Sequence, residues 1–442
     1  MSKLHTCFLF VKNVVCVVNT VFVTSYEGLI YCFTGDFDTF TRNVAKKLSG
    51  LNILYVKLFQ AFANNNKLIS EHTNQIFLEY TDNAPFTIDD IDLDMLNEYK
   101  NEYKIDCDIM NPMNSGMISL IYPAYDTINN RDVILKVKRL RIEKKLDDAI
   151  DNITFLLYFL SWIPLLQNFE IPSIINKNIQ ILKQQTNFHI EKKNMIMMKD
   201  KCKCLNYVHI PEVYENLNND STYSNIIAME YIHGETIDNI PQKYHMAYAK
   251  LIVKFGLGSF INSNSFHGDL HSGNIIFILN ECGPEPMHKV GIIDWGILLE
   301  IEKNVCNSIL DFLLDVFNVS SETSAKKIIT NILLEPKEVV DNLDVSHYNR
   351  IVSICADMID EILIKDAEAS HIHIFEAVHT INDYFESNDM FSLGIRPSVG
   401  FVKLQMALAM TNNITLRLCK NKYKECLREV LAEIMPKDVF DW

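Results

Sequence analysis

The spacing of apolar and polar positions changes along the chain. In residues 1–105 apolar side chains recur every three or four positions, which predicts amphipathic helices. Short runs rich in β-branched and aromatic residues follow, at Met117–Tyr122, Asp132–Val137 and Asn225–Ile232. Such runs predict strands, and residues 141–206, between the second and the third, have mostly helical spacing.

Two more apolar runs, Asn274–Leu279 and Lys289–Asp294, flank a segment with one glycine and two prolines. This arrangement predicts a β-hairpin, and residues 300–442 return to helical spacing. The whole pattern predicts an α+β protein with two lobes and a cleft between them. The predicted parts are a helical N-terminal extension over 1–105, a small lobe with inserted helices over 106–234, and a large, mostly helical lobe over 235–442.

The stretch from Cys7 to Val23 is strongly apolar but is interrupted by Lys12 and two asparagines. It falls short of the roughly 20 residues that span a bilayer, and a buried lysine costs about 2.5–3.5 kcal/mol on insertion scales. Apolar positions 11, 14, 15, 18 and 22 have helical spacing, which predicts an amphipathic helix packed on the protein. Association of residues 7–23 with a membrane surface is the alternative.

Composition narrows the classes of function and of compartment. The 442 residues include 41 Lys and Arg against 56 Asp and Glu, a formal net charge of −15, which argues against a nucleic-acid partner. The 11 cysteines are odd in number and scattered without a Cys-x-x-Cys pair, so neither a disulfide framework nor a zinc ribbon is indicated. We therefore expect a globular protein of a reducing, cytoplasmic compartment, with membrane association as the alternative.

The most informative segment is His267-Gly-Asp-Leu-His-Ser-Gly-Asn274, followed twenty residues later by Asp294-Trp-Gly296. Phosphoryl transfer from ATP needs a carboxylate beside the acceptor and oxygen ligands for Mg²⁺. The Asp-x4-Asn spacing is that of a kinase catalytic loop. We expect Asp269 to orient or deprotonate the acceptor, Asn274 and Asp294 to coordinate Mg²⁺, and His267 and Gly268 to shape the loop.

Two other interpretations of this segment stay open at the level of sequence. The cluster could be an ordinary polar turn followed by a strand. Alternatively, His267, Asp269 and His271 could converge on a zinc ion, although no fourth ligand is evident.

Kinase chemistry also needs a cation on the phosphates, held by an acid on a neighbouring helix. Lys136 ends an apolar run, and Glu191, in a helical segment between that run and the catalytic loop, is the best candidate for its partner. In a two-lobed kinase the run ending at Glu230-Tyr-Ile232 would be the hinge. Backbone groups of Glu230 to Ile232 would then bind adenine.

These motifs resemble those of the UbiB or AarF-domain atypical kinases, which are associated with ubiquinone biosynthesis. The resemblance covers roughly residues 50–300. It rests on the catalytic segments and on four others: Lys57-Leu-Phe-Gln60, similar to the family's Lys-x-Gly-Gln motif; Asn111 to Ile118, similar to its Ala-rich loop; Arg131 to Arg139, similar to its lysine strand; and Asn187 to Asn194, similar to its Glu-containing helix.

The resemblance implies a protein-kinase-like fold whose N-terminal extension packs over the active site. It further implies that Lys57 reaches into the cleft, that Lys136 pairs with Glu191, and that the loop of Asn114, Ser115 and Gly116 binds nucleotide. The chain departs from the family pattern at Phe59, where the motif has glycine, and at Gln185, where an acid is usual. We infer retained Mg-ATP binding with an altered autoinhibitory device.

The sequence therefore predicts a UbiB-like kinase or ATPase that binds Mg-ATP between two lobes and transfers or hydrolyses the γ-phosphate. A small molecule or a lipid-linked compound is the expected acceptor. A phosphotransferase of the aminoglycoside or choline kinase type and a nucleotide-binding pseudokinase scaffold are the alternatives. The presence of Lys136, Glu191, Asp269, Asn274 and Asp294 together disfavours the scaffold.

Overall fold

The computed structural model describes residues 3–55, 84–160, 183–279, 288–316, 319–360, 384–385, 387–388, 390–419 and 422–434. The α-helices in these residues are α1 (Lys3–Thr34), α2 (Phe37–Leu51), α3 (Leu93–Tyr103), α4 (Ile142–Leu160), α5 (Phe188–Lys201), α6 (Glu215–Asn218), α7 (His245–Ser263), α8 (Lys303–Asp315), α9 (Ser321–Ile328), α10 (Lys337–Asp341), α11 (Val345–Ile359), α12 (Val399–Cys419) and α13 (Tyr423–Ile434). The strands are β1 (Ile105–Cys107), β2 (Asn114–Ser115), β3 (Ser119–Asp126), β4 (Arg131–Lys138), β5 (Val208–His209), β6 (Ile226–Glu230), β7 (Ser265–His267), β8 (Ile275–Ile278), β9 (Lys289–Ile292), β10 (Leu298–Glu300), β11 (Leu334–Glu335) and β12 (Arg396–Pro397).

The chain forms two compact units. Unit 1 comprises Met1–Lys193 and Glu212–Tyr231, and unit 2 comprises Asn194–Pro211 and Ile232–Trp442. The division at residues 105 and 234 that the sequence suggests stays a prediction.

Unit 1 is built on an antiparallel sheet of order β1-β3-β4-β6, with β2 also paired to β3. The three predicted strands correspond to β3, β4 and β6. Strands β1 and β2 were not predicted, because strands of two or three residues are too short to show a period.

Successive side chains of a strand point to opposite sides of the sheet. In this sheet both sides are buried, each in its own hydrophobic core. On one face Leu135 and Ala228 join a core with Tyr99 of α3. On the other face Ile227 joins a core with Phe188 of α5 and with residues of α2 and α4. Lys136 lies between Leu135 and Val137 and opposite Ile227, so strand alternation places it on the second face.

The N-terminal prediction is wrong in two respects. The apolar stretch was judged too short to span a bilayer, whereas α1 continues to Thr34 and its segment Phe10–Thr34 is long and apolar enough to cross a membrane by length and composition. The predicted packed face is exposed: Val11, Val15, Val18 and Phe22 are 51–67% exposed. Helical spacing identified a continuous face correctly but could not tell what covers it.

Unit 2 contains α7, which packs against α12 and α13. The predicted hairpin is confirmed, since β8 and β9 pair antiparallel with Ile275 opposite Ile292. Its connection, residues 280–287, lies outside the described residues. Strand β5 extends the hairpin in parallel on β9, and β7 pairs with β10. These two small sheets carry the ends of the predicted catalytic segments.

Candidate functional site

The segment His267 to Asn274 of unit 2 begins at the end of β7. His267 lies opposite Leu298 of β10, and the next residue, Gly268, donates its N–H to the carbonyl of Ile297 at 3.0 Å. A Cβ atom at Gly268 would lie 2.3 Å from Cγ2 of Ile297. The absence of a side chain at Gly268 therefore lets the loop start close against the β10 side of the small sheet.

Gly268→Ala should consequently lower the free energy of unfolding by at least about 1 kcal/mol, because the new methyl group would overlap Ile297 and press on Leu299. Gly256→Ala in α7 is the matched control, since its Cβ would meet nothing closer than 3.6 Å and alanine favours a helix. Urea unfolding of both variants measures the difference. Equal midpoints for the two variants would contradict this packing.

Hydrogen bonds in and beside the loop link the backbone segments that carry Asp269, Asn274 and Asp294. Asn274 donates its Nδ2 hydrogen to the carbonyl of Asp269 at 2.7 Å. The carbonyl of Asn274 accepts the N–H of Ile293 at 3.1 Å, which joins the end of the loop to the end of the β9 segment. Asp294 follows directly, and its Oδ1 accepts the N–H of Gly296 at 3.0 Å. The amide oxygen of Asn274 and the carboxylate of Asp294 are thus held by short-range contacts.

His267 is buried within this arrangement. Its Nδ1 accepts the N–H of Asp269 at 3.2 Å, and its ring lies 4.8 Å from the ring of Trp295. Burial lowers the pKa of His267 to about 4, despite the opposing effects of Asp294 and Asp269. A neutral imidazole whose Nδ1 accepts a hydrogen bond shapes the loop.

The zinc interpretation gains no support from this geometry. The Nδ1 lone pair of His267 is used by Asp269, as stated above. Among the described residues, no group of three or more His, Cys, Asp and Glu side chains could hold a metal ion.

Trp295 connects this loop to α5. Its side chain is fully buried, and its Nε1 donates to the carbonyl of Ile292 at 3.1 Å. Its carbonyl accepts a hydrogen from Nδ2 of Asn194 at 2.9 Å. Asn194 belongs to a segment that resembles a family motif, but no role was predicted for it from sequence. The structure shows that it holds the backbone directly after Asp294.

In unit 1 the structure places Lys136 and Glu191 in contact. The Nζ of Lys136 lies 2.6 Å from Oε1 of Glu191, and only 6% and 1% of the two residues are exposed. The Nζ also lies 5.8 Å from the centre of the Phe188 ring. A buried ion pair of this kind holds a lysine in one position but costs desolvation energy.

Of the predicted loop, Asn114 and Ser115 form strand β2, and Gly116 begins the tight turn that leads to β3. Gly116 donates its N–H to the carbonyl of Ser119 at 2.9 Å. The hydroxyl of Ser115 is buried, donates to the carbonyl of Ala84 at 2.6 Å and accepts from Arg139 at 2.7 Å. The Ser115 side chain therefore anchors the loop within unit 1.

Arg139 holds Ser115 and the backbone around Ala84 together by hydrogen bonds. This role was not predicted from the sequence. Besides Ser115, its guanidinium donates to the carbonyls of Pro85 at 2.8 Å and Ala84 at 3.1 Å, and it lies 3.5 Å from Asp90. Burial lowers the pKa of the Arg139 guanidinium, an effect that Asp90 opposes. Arg139 lies in a run rich in Lys and Arg, and nothing in the residue pattern indicates that it is buried.

The predicted hinge residues Glu230 and Ile232 fall in different units. The backbone N–H of Glu230 donates to the carbonyl of Glu212 at 2.8 Å, and its Oε2 accepts the N–H of Glu212 at 3.0 Å. The Glu230 N–H is therefore already used. Ile232 packs over Gly291 of β9.

Lys57 and Gln185 are the two positions that the resemblance associates with the N-terminal extension. Lys57 and its motif lie outside the described residues, as do residues 56–83 generally. Gln185 is described and half-buried. The role of Lys57 stays a prediction.

Solved structures align with this chain at low sequence identity. The complex of Rv3197 with erythromycin from Mycobacterium tuberculosis covers 74% of this chain and 77% of its own, at 12% identity and a TM-score of 0.47. The Rio2 kinase from Chaetomium thermophilum covers 48% of this chain and 55% of its own, at 13% identity and a TM-score of 0.27. The family is shown by sequence comparison.

Several curated relatives are probable kinases. The probable protein kinase UbiB of Blochmanniella pennsylvanica is 27% identical over 202 residues, which cover 43% of this chain and 35% of that protein. The UbiB of Shewanella piezotolerans is 24% identical over 359 residues, covering 79% and 62%. The probable serine/threonine-protein kinase abkB of Dictyostelium discoideum is 24% identical over 275 residues, covering 57% and 38%. The chain thus spans less than two thirds of the length of these relatives.

The family model of the ABC1 atypical kinase-like domain matches residues 108–328, half of the chain. This range contains the Lys136–Glu191 pair, the loop from His267 to Asn274, and Asp294. The predicted α+β, two-lobed kinase-like fold and the resemblance to UbiB are confirmed. The chain belongs to the ABC1 atypical kinase-like family.

Proposed function

We propose that this protein binds Mg-ATP and acts as an ATP-dependent phosphotransferase or ATPase. The observation that carries the proposal is the assembly of Asp269, Asn274 and Asp294 at the ends of short strands. Two hydrogen bonds from or to Asn274, at 2.7 and 3.1 Å, hold this assembly together. Membership of a kinase-like family supports it.

The donor atoms fit Mg²⁺. The Nδ2 of Asn274 is used on Asp269, which leaves the amide oxygen as the group able to coordinate a cation. With the carboxylate of Asp294 this gives the all-oxygen set that Mg²⁺ prefers. Bound Mg²⁺ would neutralise charge on the phosphates. In this proposal Asp269 orients the acceptor hydroxyl or water and takes its proton.

We propose the remaining nucleotide contacts from residues that lie mostly in unit 1. Lys136, held by Glu191, would bind the phosphates as a fixed cation. Because the Ser115 hydroxyl is used on Ala84 and Arg139, we propose that the loop from Asn114 to Gly116 contacts the nucleotide through its backbone. Because the Glu230 N–H is used on Glu212, backbone groups nearer Ile232 would contact adenine.

The acceptor is proposed to be a small molecule or a lipid-linked compound. The aminoglycoside or choline kinase type and the pseudokinase scaffold remain the competing functions. We also propose a cytoplasmic location with attachment to a membrane surface through the N-terminal helix. The relatives are longer than the region matched, so their whole-protein activity extends to this chain only as a proposal.

A nucleotide titration tests the proposal. Mg-ATP should raise the melting temperature of the full chain, because a ligand at about 100 times its Kd adds about 2.7 kcal/mol to the stability of the folded state. ATP without Mg²⁺ is the control and should shift it less. No stabilisation would refute every nucleotide-binding function, and stabilisation without phosphate release would favour the scaffold. Stimulation by amino sugars or choline would favour the small-molecule kinase type.

A further inference from the structure

The peptide group that joins Trp295 to Gly296 is hydrogen-bonded on both sides. Its carbonyl, that of Trp295, accepts a hydrogen from Nδ2 of Asn194 at 2.9 Å. Its N–H, that of Gly296, donates to Oδ1 of Asp294 at 3.0 Å. Because a peptide group is planar, a bond that fixes the direction of the carbonyl also fixes the direction of the N–H. Asn194 and the Asp294 carboxylate are therefore linked through one rigid group.

The two residues that flank this peptide group differ in their freedom to move. The side chain of Trp295 is fully buried, its Nε1 donates to the carbonyl of Ile292 at 3.1 Å, and its ring lies 4.8 Å from that of His267. These contacts hold Trp295 in place. Gly296 has no Cβ atom, so its φ can take either sign at little cost.

A peptide group before a glycine can turn over when ψ of the first residue and φ of the glycine change together, as type I and type II turns differ. Such a turn would point the Gly296 N–H away from Oδ1 of Asp294. It would also remove the Trp295 carbonyl from Nδ2 of Asn194. The bond from Asn194 therefore opposes the one local motion that would release the carboxylate.

The position of Asn194 is set by α5. Its neighbours Met195 and Met198 are 0% exposed, which anchors this part of the helix in the core. A carbonyl only accepts hydrogen bonds, so the Asn194 amide must present its NH₂ group to Trp295. Asn194, Asp294 and Trp295 all belong to unit 2. The donor is thus carried by a regular element of the same unit as the predicted metal ligand.

We propose that Asn194 is a positioning residue for Asp294 as a ligand of Mg²⁺. This inference rests on the proposed function and adds a residue to its site. Asn194 acts through the Trp295–Gly296 peptide group, whose N–H keeps Oδ1 of Asp294 in one orientation. Loss of a partner that orients a metal ligand typically weakens metal affinity about 10- to 100-fold. The affinity for Mg²⁺ should therefore depend on the Asn194 amide.

Hydrogen exchange of the full chain without nucleotide tests the link from Asn194 to the peptide group. Asn194→Leu keeps a side chain of similar size but removes the donor. The Gly296 N–H should then exchange at least about tenfold faster, whereas amides in the middle of α7 should keep their rates. Asn342→Leu is the matched control, because Nδ2 of Asn342 donates to the carbonyl of Glu338 at 2.7 Å, outside the motifs described above. It should leave Gly296 unchanged.

A Mg²⁺ titration at fixed ATP tests the link from the peptide group to the metal. The Mg²⁺ concentration that gives half of the thermal stabilisation should rise at least about tenfold in Asn194→Leu. Asn194→Gln, which keeps an NH₂ donor on a longer side chain, should restore part of the affinity, and Asn342→Leu should match the unmodified protein. A merely structural Asn194 would lower the urea midpoint and leave this Mg²⁺ concentration unchanged.

Two results would overturn the inference alone. One is unchanged exchange of the Gly296 N–H in Asn194→Leu, and the other is an unchanged Mg²⁺ dependence in a variant that Mg-ATP still stabilises. Absence of any stabilisation of the unmodified protein by Mg-ATP would refute the proposed function and the role of Asn194 together. Because the exchange measurement needs no nucleotide, the two kinds of failure are distinguishable.

Discussion

Asp294→Asn should lower the rate of phosphate release or transfer by at least about 100-fold, with little change in the free energy of unfolding. The asparagine keeps an oxygen that can accept the N–H of Gly296, which Oδ1 of Asp294 accepts at 3.0 Å. It removes the negative charge that would hold Mg²⁺. The concentration of Mg²⁺ that gives half of the maximal nucleotide binding should rise accordingly.

The measurements are phosphate release, Mg²⁺ titration at fixed ATP, and urea unfolding. Asp311→Asn is the matched control, because Asp311 is an exposed residue of α8 outside the motifs described above. It should leave all three unchanged. If Asp294→Asn kept the full rate and the same Mg²⁺ dependence, Asp294 would not be a metal ligand.

Lys136→Met should destabilise the protein by about 3–5 kcal/mol, because it removes the ion-pair partner of a carboxylate that is 1% exposed. It should also abolish the stabilisation by Mg-ATP. Adding Glu191→Leu removes the buried charge as well, and the double variant should recover most of the lost stability, since apolar replacements of buried pairs are often neutral. Nucleotide binding should not recover.

This pattern separates a structural lysine from a phosphate-binding lysine. Lys138→Met is the matched control, because Lys138 lies two positions along the same strand and pairs with the half-exposed Glu143. It should cost at most about 1 kcal/mol. Urea midpoints and a nucleotide titration report the two effects. A double variant that bound Mg-ATP as tightly as the unmodified protein would contradict the proposed role of Lys136.

Local chemistry made much of unit 2 predictable from sequence. The loop from His267 to Asn274 is held mainly by hydrogen bonds between residues no more than five positions apart. The β8–β9 hairpin followed from two apolar runs around a turn segment. In unit 1 the apolar run Asp132–Val137 predicted the strand that carries Lys136. Such features depend on residue types at short spacing, which the sequence shows directly.

Contacts between residues that are distant in the sequence were harder to predict. Lys136 and Glu191 are 55 residues apart, and the helical pattern offered Glu191 only as the best candidate, a choice with which the family resemblance agreed. Arg139 and Asn194 received no role, because only the folded chain brings the carbonyls of Ala84, Pro85 and Trp295 to them. Every residue has a backbone carbonyl, so the sequence does not show which carbonyl a side chain will contact.

The N-terminal helix shows both what helical spacing in the sequence predicts and what depends on tertiary contacts. The sequence by itself determined that positions 11, 15, 18 and 22 share one apolar face, because helical geometry fixes which residues are neighbours. Only the tertiary structure decided which face turns inward. Glu27 finds Asn43 and Lys47 on α2, and Lys12 finds Asp148 on α4, so satisfying these polar groups turns the apolar face outward.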